Sequence, residues 1–179
     1  GADFVFHFQA NADVRGGMEN TAIDVEQNIT GTHNVLEAMK INRISRIAFS
    51  SSATVYGEPV EIPTPENIAP LQTSLYGASK YAAEALIQAY GEYFGIQSWI
   101  FRFVSFMGPR YTHGVIFDFM RKLKKDPTSL EILGDGSQRK SYLHVNDGID
   151  AILTAIENSH NQTNIFNLRN KEWNNFIEL

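Results

Sequence analysis

The 179-residue chain contains no cysteine. That excludes disulfide frameworks, thiolate zinc sites and cysteine nucleophiles together, and it fits a reducing compartment. No run approaches the ~18 apolar residues of a membrane span, and no signal-peptide pattern opens the chain. An excess of positive charge is missing as well. Fifteen Lys and Arg stand against twenty Asp and Glu, a net charge of −5, and no phosphate-tracking surface for nucleic acid is expected. The five histidines, at 7, 33, 113, 144 and 160, share no ligand spacing, so no metal site is expected. An initiator methionine is lacking. The chain runs from Gly1-Ala2-Asp3 straight into an apolar strand pattern, and residues 173–179 read as an amphipathic helix cut short. The expectation is an internal piece of a longer protein.

What is present is a globular balance, with 43% hydrophobic and 20% charged residues. Apolar runs alternate with helical periodicity. Residues 3–8, 44–50, 96–103, 130–133, 141–145 and 164–168 read as strands, and 20–41, 74–94, 115–125 and 146–158 as helices. Ser74 is a candidate N-cap and Gly95 a stop for the long second helix. Four of the six prolines fall in residues 57–70, which marks a stiff, extended loop. This alternation predicts an α/β fold with a doubly wound parallel sheet covered on both faces. Ligands bind such sheets beyond the carboxyl ends of the strands, which directs attention to the residues after Phe8, Ser50 and Phe103.

Tyr76 and Lys80 are four residues apart on a predicted helix and share one face. A phenol with a pKa near ~10 is a poor base at neutrality, and a neighbouring ammonium favours its ionised form. The pair can therefore make a general base for a hydroxyl proton. It can equally be a surface lysine one turn after a half-buried tyrosine. Upstream, Ser50-Ser51-Ser52-Ala53-Thr54-Val55-Tyr56-Gly57 ends a predicted strand. Its hydroxyls could share a substrate proton with Tyr76, or could form only a turn or helix cap.

Taken together, this serine run, the proline-bearing loop and Ser74-Leu75-Tyr76-Gly77-Ala78-Ser79-Lys80 resemble the extended short-chain dehydrogenase/reductase superfamily, and within it the NAD-dependent nucleotide-sugar epimerases of the UDP-glucose 4-epimerase type. The resemblance extends to Asp3-Phe4-Val5-Phe6-His7-Phe8, to Asn28-Ile29-Thr30-Gly31-Thr32, to the run from Arg102 to Arg110, and to Gly134-Asp135-Gly136 through Asp147. It implies a Rossmann-like sheet: residues 1–107 as a partial NAD-binding domain, 108–140 as a substrate-domain segment, 141–160 as a return to the first domain, and 161–179 as the start of the remaining substrate domain. It implies Tyr76 as base, Ser52 as proton shuttle, and Lys80 as partner of Tyr76 and of the nicotinamide ribose. Phe8, Gln9, Ala10, Asn28, Ser50, Ser51 and Phe103 would line NAD. Ser105, His113, Val115, Ile116, Arg139 and Lys140 would meet the nucleotide sugar. A homodimer through the outer faces of the two long helices is implied too, and Tyr81 and Tyr90 would suit it.

The chain departs from the family pattern in places. Ser105 stands for an asparagine, Gln9 for a small alanine, and Lys140 for an arginine, which loses the bidentate fork. The Gly-rich phosphate turn of the family is not in these residues. The positions after Ser52 are Ala53 and Thr54, where related dehydratases carry Asp-Glu. The expected chemistry is 4-epimerisation, with UDP-glucose/UDP-galactose as the default pair. A related dehydratase or reductase, or a non-catalytic module, is the alternative.

Overall fold

The computed structural model describes residues 1–12, 19–112, 114–132, 134, 139–170 and 174–175. They divide into two units, Gly1–Phe103 with Ile152–Leu168, and Val104–Ala151 with Arg169–Leu179.

The first unit is built on a four-stranded parallel sheet of β1 (Val5–His7), β2 (Arg46–Ser52), β3 (Gln97–Phe103) and β7 (Thr163–Leu168), in the order β1-β2-β3-β7. In register, Phe6 lies beside Ala48, Ser52 beside Phe103, and Phe103 beside Leu168, so the carboxyl ends of three strands finish together. Strand alternation sends Val5, His7, Ile47, Phe49, Ser51, Ile100 and Arg102 to one face. Two long helices cover that face: α2 (Gly31–Asn42) and α3 (Leu75–Phe94). Between them and the sheet lies a core of Leu36, Met39, Ile47, Phe49, Ala83, Ile87, Ile96 and Ile100. The other face carries aromatic rings, with Phe4 tilted against Phe6, Phe8 edge-on to Phe6, and Phe4 meeting Trp99. A sheet covered on both faces was expected, and on this face Ala48, Trp99 and Phe101 are buried, while Phe6 and Phe8 at the outermost described strand are 52% and 43% exposed.

The helix expected over 20–41 is not uniform. A short α1 (Ala22–Asp24) passes through a π-helical stretch, Val25–Thr30, before α2 begins. The widened turn carries Asn28, which is buried and bonded to partners outside the helix. Periodicity alone cannot register such an insertion, and π-segments recur at functional sites. The expectations for α3 hold. The Ser74 hydroxyl accepts from Gly77 N at 3.0 Å, and Gly95 ends the helix in the left-handed region with φ 69°. A 3₁₀ turn, Ala53–Tyr56, follows β2 with Ser52 as its N-cap, an element the sequence reading did not resolve.

The second unit contains β4 (Ser105–Met107) paired in parallel with β6 (Tyr142–His144), and β5 (Arg139–Lys140) paired antiparallel with β8 (Asn174–Asn175). Its helix α4 (Val115–Lys125) stops at Asp126 as expected. Helix α5 (Val145–Asn158) starts in this unit, and its residues from Ile152 onward group with the first. The strand expected at 130–133 does not form at Leu130, Glu131 or Ile132, and Leu133 lies outside the described residues. Instead the Glu131 carbonyl accepts from Lys122 Nζ at 2.8 Å, so a side chain on α4 takes the place of a strand partner. The helix expected at 173–179 is a strand at Asn174 and Asn175, and its other residues lie outside the described ones. The expected segmentation also shifts: Thr163–Leu168, placed with the substrate domain from sequence, pairs with β3 in the main sheet. Among the described residues no helix is long and apolar enough to cross a membrane.

A charged pair is buried under α3. Arg102 donates from Nε to Glu84 Oε1 at 3.0 Å and from Nη2 to Oε2 at 2.7 Å, and both side chains are almost fully enclosed. Ser51 donates its hydroxyl to the same carboxylate. The remaining Arg102 donors reach the Tyr56 hydroxyl and the Glu66 carbonyl, and Tyr56 donates to Asn167 at 2.9 Å. One ion pair thus ties α3, β2, β3, β7 and the proline-rich loop. Glu84→Gln leaves the Arg102 charge buried without its counter-ion and is expected to lower unfolding stability by about 3 kcal/mol. Urea unfolding checks this, and a change below ~0.5 kcal/mol, the size of an ordinary surface substitution, would contradict it.

Candidate active site

The site is assembled at the carboxyl end of β2. Ser52 ends the strand, and α3 comes back over it after the proline-rich loop. Gly77 permits the close approach. A Cβ there would stand 2.7 Å from the Thr54 carbonyl oxygen, so any larger residue would push the first turn of α3 away. With that contact closed, the first turn of α3, which carries Tyr76, lies against the turn that follows Ser52. The Ser52 hydroxyl accepts from Thr54 N at 3.2 Å and from Thr54 Oγ1 at 2.9 Å.

The Tyr76 phenol is pushed up from its ordinary value of 10.0, not down as the Tyr–Lys spacing implied. Burial is the largest cause and raises it, the Ser52 hydrogen bond lowers it, and the Asp24 carboxylate raises it. The cation expected to lower it is engaged elsewhere. Lys80 is 2% exposed, and its Nζ sits 4.3 Å over the Phe49 ring. Burial brings Lys80 down to about 8, with Glu84 one turn further on opposing the shift. An ammonium held by a ring and a nearby carboxylate keeps donors for hydroxyl groups. That donor set fits the ribose of a dinucleotide.

Behind Lys80 lies a chain of buried hydrogen bonds. Thr32 donates to the Asn28 carbonyl at 2.6 Å, which uses its only proton, so His7 Nε2 is the donor to Thr32 Oγ1 at 2.9 Å. Asn28 accepts from Asn11 N at 2.8 Å and donates to Ser79 Oγ at 2.9 Å, and Ser79 donates to the Tyr76 carbonyl at 2.8 Å. Asp24 Oδ1 accepts from Asn11 at 2.8 Å and from Asn28 at 3.3 Å, while its Oδ2 is buried without a partner among the described residues. Asn28 thereby links β1 to the turn of α3 that carries Tyr76.

The structure brings several of the expected residues together. Ser50, Ser51 and Ser52 end β2, Phe103 ends β3, and Phe8 meets Phe103 edge-on at 6.1 Å between centroids. Gln9 and Ala10 follow β1, with Gln9 exposed and Ala10 half-buried. Ser51 faces α3 and serves Glu84 with its hydroxyl, so its side chain is turned to the helix side of the sheet. Ser105 on β4, Val115 and Ile116 in the first turn of α4, and the exposed Lys140 on β5 belong to the second unit. His113 lies outside the described residues, and of Arg139 only the backbone is described. Asp24, Thr32, Thr54 and Glu84 were not singled out from sequence as part of the site. The available signal was spacing: Glu84 stands four residues after Lys80, and Asp24 four before Asn28.

Comparison with known proteins agrees with this architecture. Residues 1–168 match the NAD dependent epimerase/dehydratase family, and the chain belongs to that family. It is 36% identical over 168 residues to a putative UDP-glucose 4-epimerase of Methanocaldococcus jannaschii, covering 91% of this chain and 55% of that protein. It is 31% identical to a UDP-glucose 4-epimerase of Halalkalibacterium halodurans, over 94% of this chain and 56% of the relative. Among solved structures it resembles a UDP-galactose 4-epimerase with a TM-score of 0.90 at 37% identity, covering 98% of this chain and 59% of that one. It also resembles the UDP-glucuronic acid 4-epimerase of Bacillus cereus in complex with UDP-glucuronic acid and NAD, with a TM-score of 0.90 at 28% identity over 98% and 56%. The chain spans a little over half the length of the curated relatives it matches.

His7 supplies a pH prediction. Burial first, and Lys80 second, lower its pKa from 6.5 to about 4. The folded chain therefore refuses a proton that the unfolded chain accepts. The contribution to stability is intact above pH 6.5 and is lost as pH falls toward about 4, by about 3 kcal/mol in total. An NMR titration of the His7 ring proton is expected to show a midpoint near 4, and a midpoint near 6.5 would contradict the burial argument.

Proposed function

We propose that the whole protein is an NAD-dependent nucleotide-sugar 4-epimerase, with UDP-glucose and UDP-galactose as its default pair. The observation that carries the reading is the close approach of the first turn of α3, which carries Tyr76, to the turn that follows Ser52 at the end of β2, with Ala53 and Thr54 as the next residues. NAD, when bound, supplies the reversible removal of the C4 hydrogen. Every other task falls to the chain. Ser52 and Tyr76 take the proton of the C4 hydroxyl and later return it. Lys80 holds the nicotinamide ribose beside them. Phe8 and Phe103 give the cofactor an apolar wall, and Asn28 keeps the Tyr76 turn in place. The sugar must turn over between the two transfers, and the small side chain of Ala53 favours room for that. Ser105, Val115 and Ile116 would bind the nucleotide sugar, with Lys140 a point charge for its diphosphate. We assign the protein to the cytoplasm and to a homodimer through the outer faces of α2 and α3. Tyr81 is exposed there, whereas Tyr90 is bound to Glu37 at 2.6 Å and contributes less.

Dehydration of the sugar is the rival chemistry, and relatives of 33% identity include a trifunctional UDP-glucose 4,6-dehydratase of Arabidopsis thaliana. That reaction needs a base at C5 and an acid at the C6 hydroxyl. A methyl group at Ala53 transfers no proton, and the Thr54 hydroxyl does not ionise near neutrality. Incubation of the whole protein with NAD and UDP-glucose is expected to yield UDP-galactose, and a 4-keto-6-deoxy product would overturn the reading. In the same assay Tyr76→Phe is expected to cut kcat by about 10²–10⁴ with NAD still bound. Near-wild-type turnover would remove Tyr76 from the mechanism.

A further inference from the structure

The segment that leaves β1 toward the site, Phe8-Gln9-Ala10-Asn11, belongs to no helix or strand. Its first residue rests edge-on against Phe103, and its last, Asn11, meets the turn of Asp24 and Asn28 through three hydrogen bonds. Asn11 N donates to Asn28 Oδ1 at 2.8 Å, Asn11 Nδ2 donates to Asp24 Oδ1 at 2.8 Å, and the Asn11 carbonyl accepts from Asn28 Nδ2 at 3.4 Å. The atoms that meet fix these directions. An ionised carboxylate only accepts, so Asn11 turns its NH2 to Asp24, and a backbone N–H only donates, so Asn28 turns its oxygen to Asn11. The Asn28 NH2 then donates to Ser79 Oγ at 2.9 Å, and Ser79 donates onward to the Tyr76 carbonyl. We propose that Asp24 and Asn11 form a clamp on the cofactor-binding segment: Asp24 is a positioning residue that holds Asn11, and through it Gln9 and Ala10, in the arrangement that receives NAD.

Asp24 is 1% exposed, so it touches no ligand itself, and its effect on one passes through Asn11. Only one of its oxygens takes part. Oδ1 accepts from Asn11 and, at 3.3 Å, from Asn28, while Oδ2 is buried without a partner among the described residues. A buried carboxylate with one idle oxygen is a costly choice for stability alone, and what it supplies is an acceptor for the Asn11 side chain. A backbone segment held in its bound shape before the ligand arrives loses less freedom on binding, and affinity rises accordingly. The inference rests on the reading of the whole protein as NAD-dependent, and it adds a residue that does not itself touch the cofactor.

A purely structural role for the same hydrogen bonds makes a different prediction. Their loss would then lower unfolding stability and leave the NAD affinity of the folded protein unchanged. Three substitutions separate the two. Asn11→Ala breaks the bond to Asp24 and leaves both bonds of the Asn11 backbone to Asn28. Asp24→Leu keeps a branched side chain and removes both oxygens, whereas Asp24→Asn keeps one acceptor oxygen for Asn11.

The experiment is a calorimetric titration of the whole protein with NAD. Asn11→Ala and Asp24→Leu are each expected to weaken NAD binding about fivefold to twentyfold. The double variant is expected to bind no more weakly than the weaker single variant, because both substitutions remove the same hydrogen bond. Asp24→Asn is expected to recover most of the affinity that Asp24→Leu loses. An unchanged dissociation constant in Asn11→Ala, losses that multiply in the double variant, or Asp24→Asn binding as weakly as Asp24→Leu would each overturn the proposal. Asn11→Ala alters one half-buried side chain outside helix and strand, so the test stands even where Asp24→Leu does not fold. Absence of NAD binding by the unsubstituted protein would instead overturn the cofactor reading on which the clamp depends.

Discussion

One face of α3 places a phenol, an ammonium and a carboxylate at four-residue intervals against the helix side of a sheet, and the unit must satisfy each of them without bulk water. Burial alone disfavours every charge on that face. Glu84 meets a guanidinium fork and a serine hydroxyl. Lys80 meets an aromatic ring and the field of Glu84. Tyr76 meets Ser52. The partners come from β2 (Phe49, Ser51 and Ser52) and β3 (Arg102), so the same requirement that keeps the helix stable also gathers the residues of the site. The proline-rich loop follows from it, because Arg102 and Asn167 hold its carbonyls at Glu66 and Thr64.

Two polar networks flank this face and have different parts. The Arg102–Glu84 network is closed. Its members are partnered with one another, and its role is to lock α3 to the strands. The Asn28 network is open, since Asp24 keeps one oxygen without a partner among the described residues. It runs beside Tyr76 and Lys80, and its hub, Asn28, sits on a π-helical turn that regular helix geometry would not supply. Rigidity on one side and spare hydrogen-bonding capacity on the other are what a site needs if it is to hold a dinucleotide and exchange protons with a sugar.

Much of the fold was legible from periodicity and punctuation. The cap at Ser74, the stop at Gly95 and the end of α4 at Asp126 all fall where residue chemistry demanded them. The run at 130–133 has strand character, yet Leu130, Glu131 and Ile132 pair with no strand among the described residues, and a single segment carries no information about its partner. The π-turn around Asn28 was hidden for a related reason, since apolar spacing over twenty residues averages over one inserted position. For the site, Ser52, Tyr76 and Lys80 were visible from type and spacing, and the motif resemblance ordered them. The sign of the Tyr76 shift was not visible. The spacing places a cation one turn away, but only the three-dimensional packing shows that the cation rests on Phe49 and that burial prevails.

The central claim is that Ser52 and Tyr76 act jointly on one hydroxyl group, with Lys80 serving the cofactor. A crystal structure of the whole protein with NAD and a UDP-hexose tests it most directly. The account predicts the C4 oxygen of the sugar within about 3 Å of both Ser52 Oγ and Tyr76 Oη, and Lys80 Nζ drawn from the Phe49 ring to the nicotinamide ribose. A sugar whose C4 oxygen lies beyond hydrogen-bond reach of both hydroxyls would contradict it.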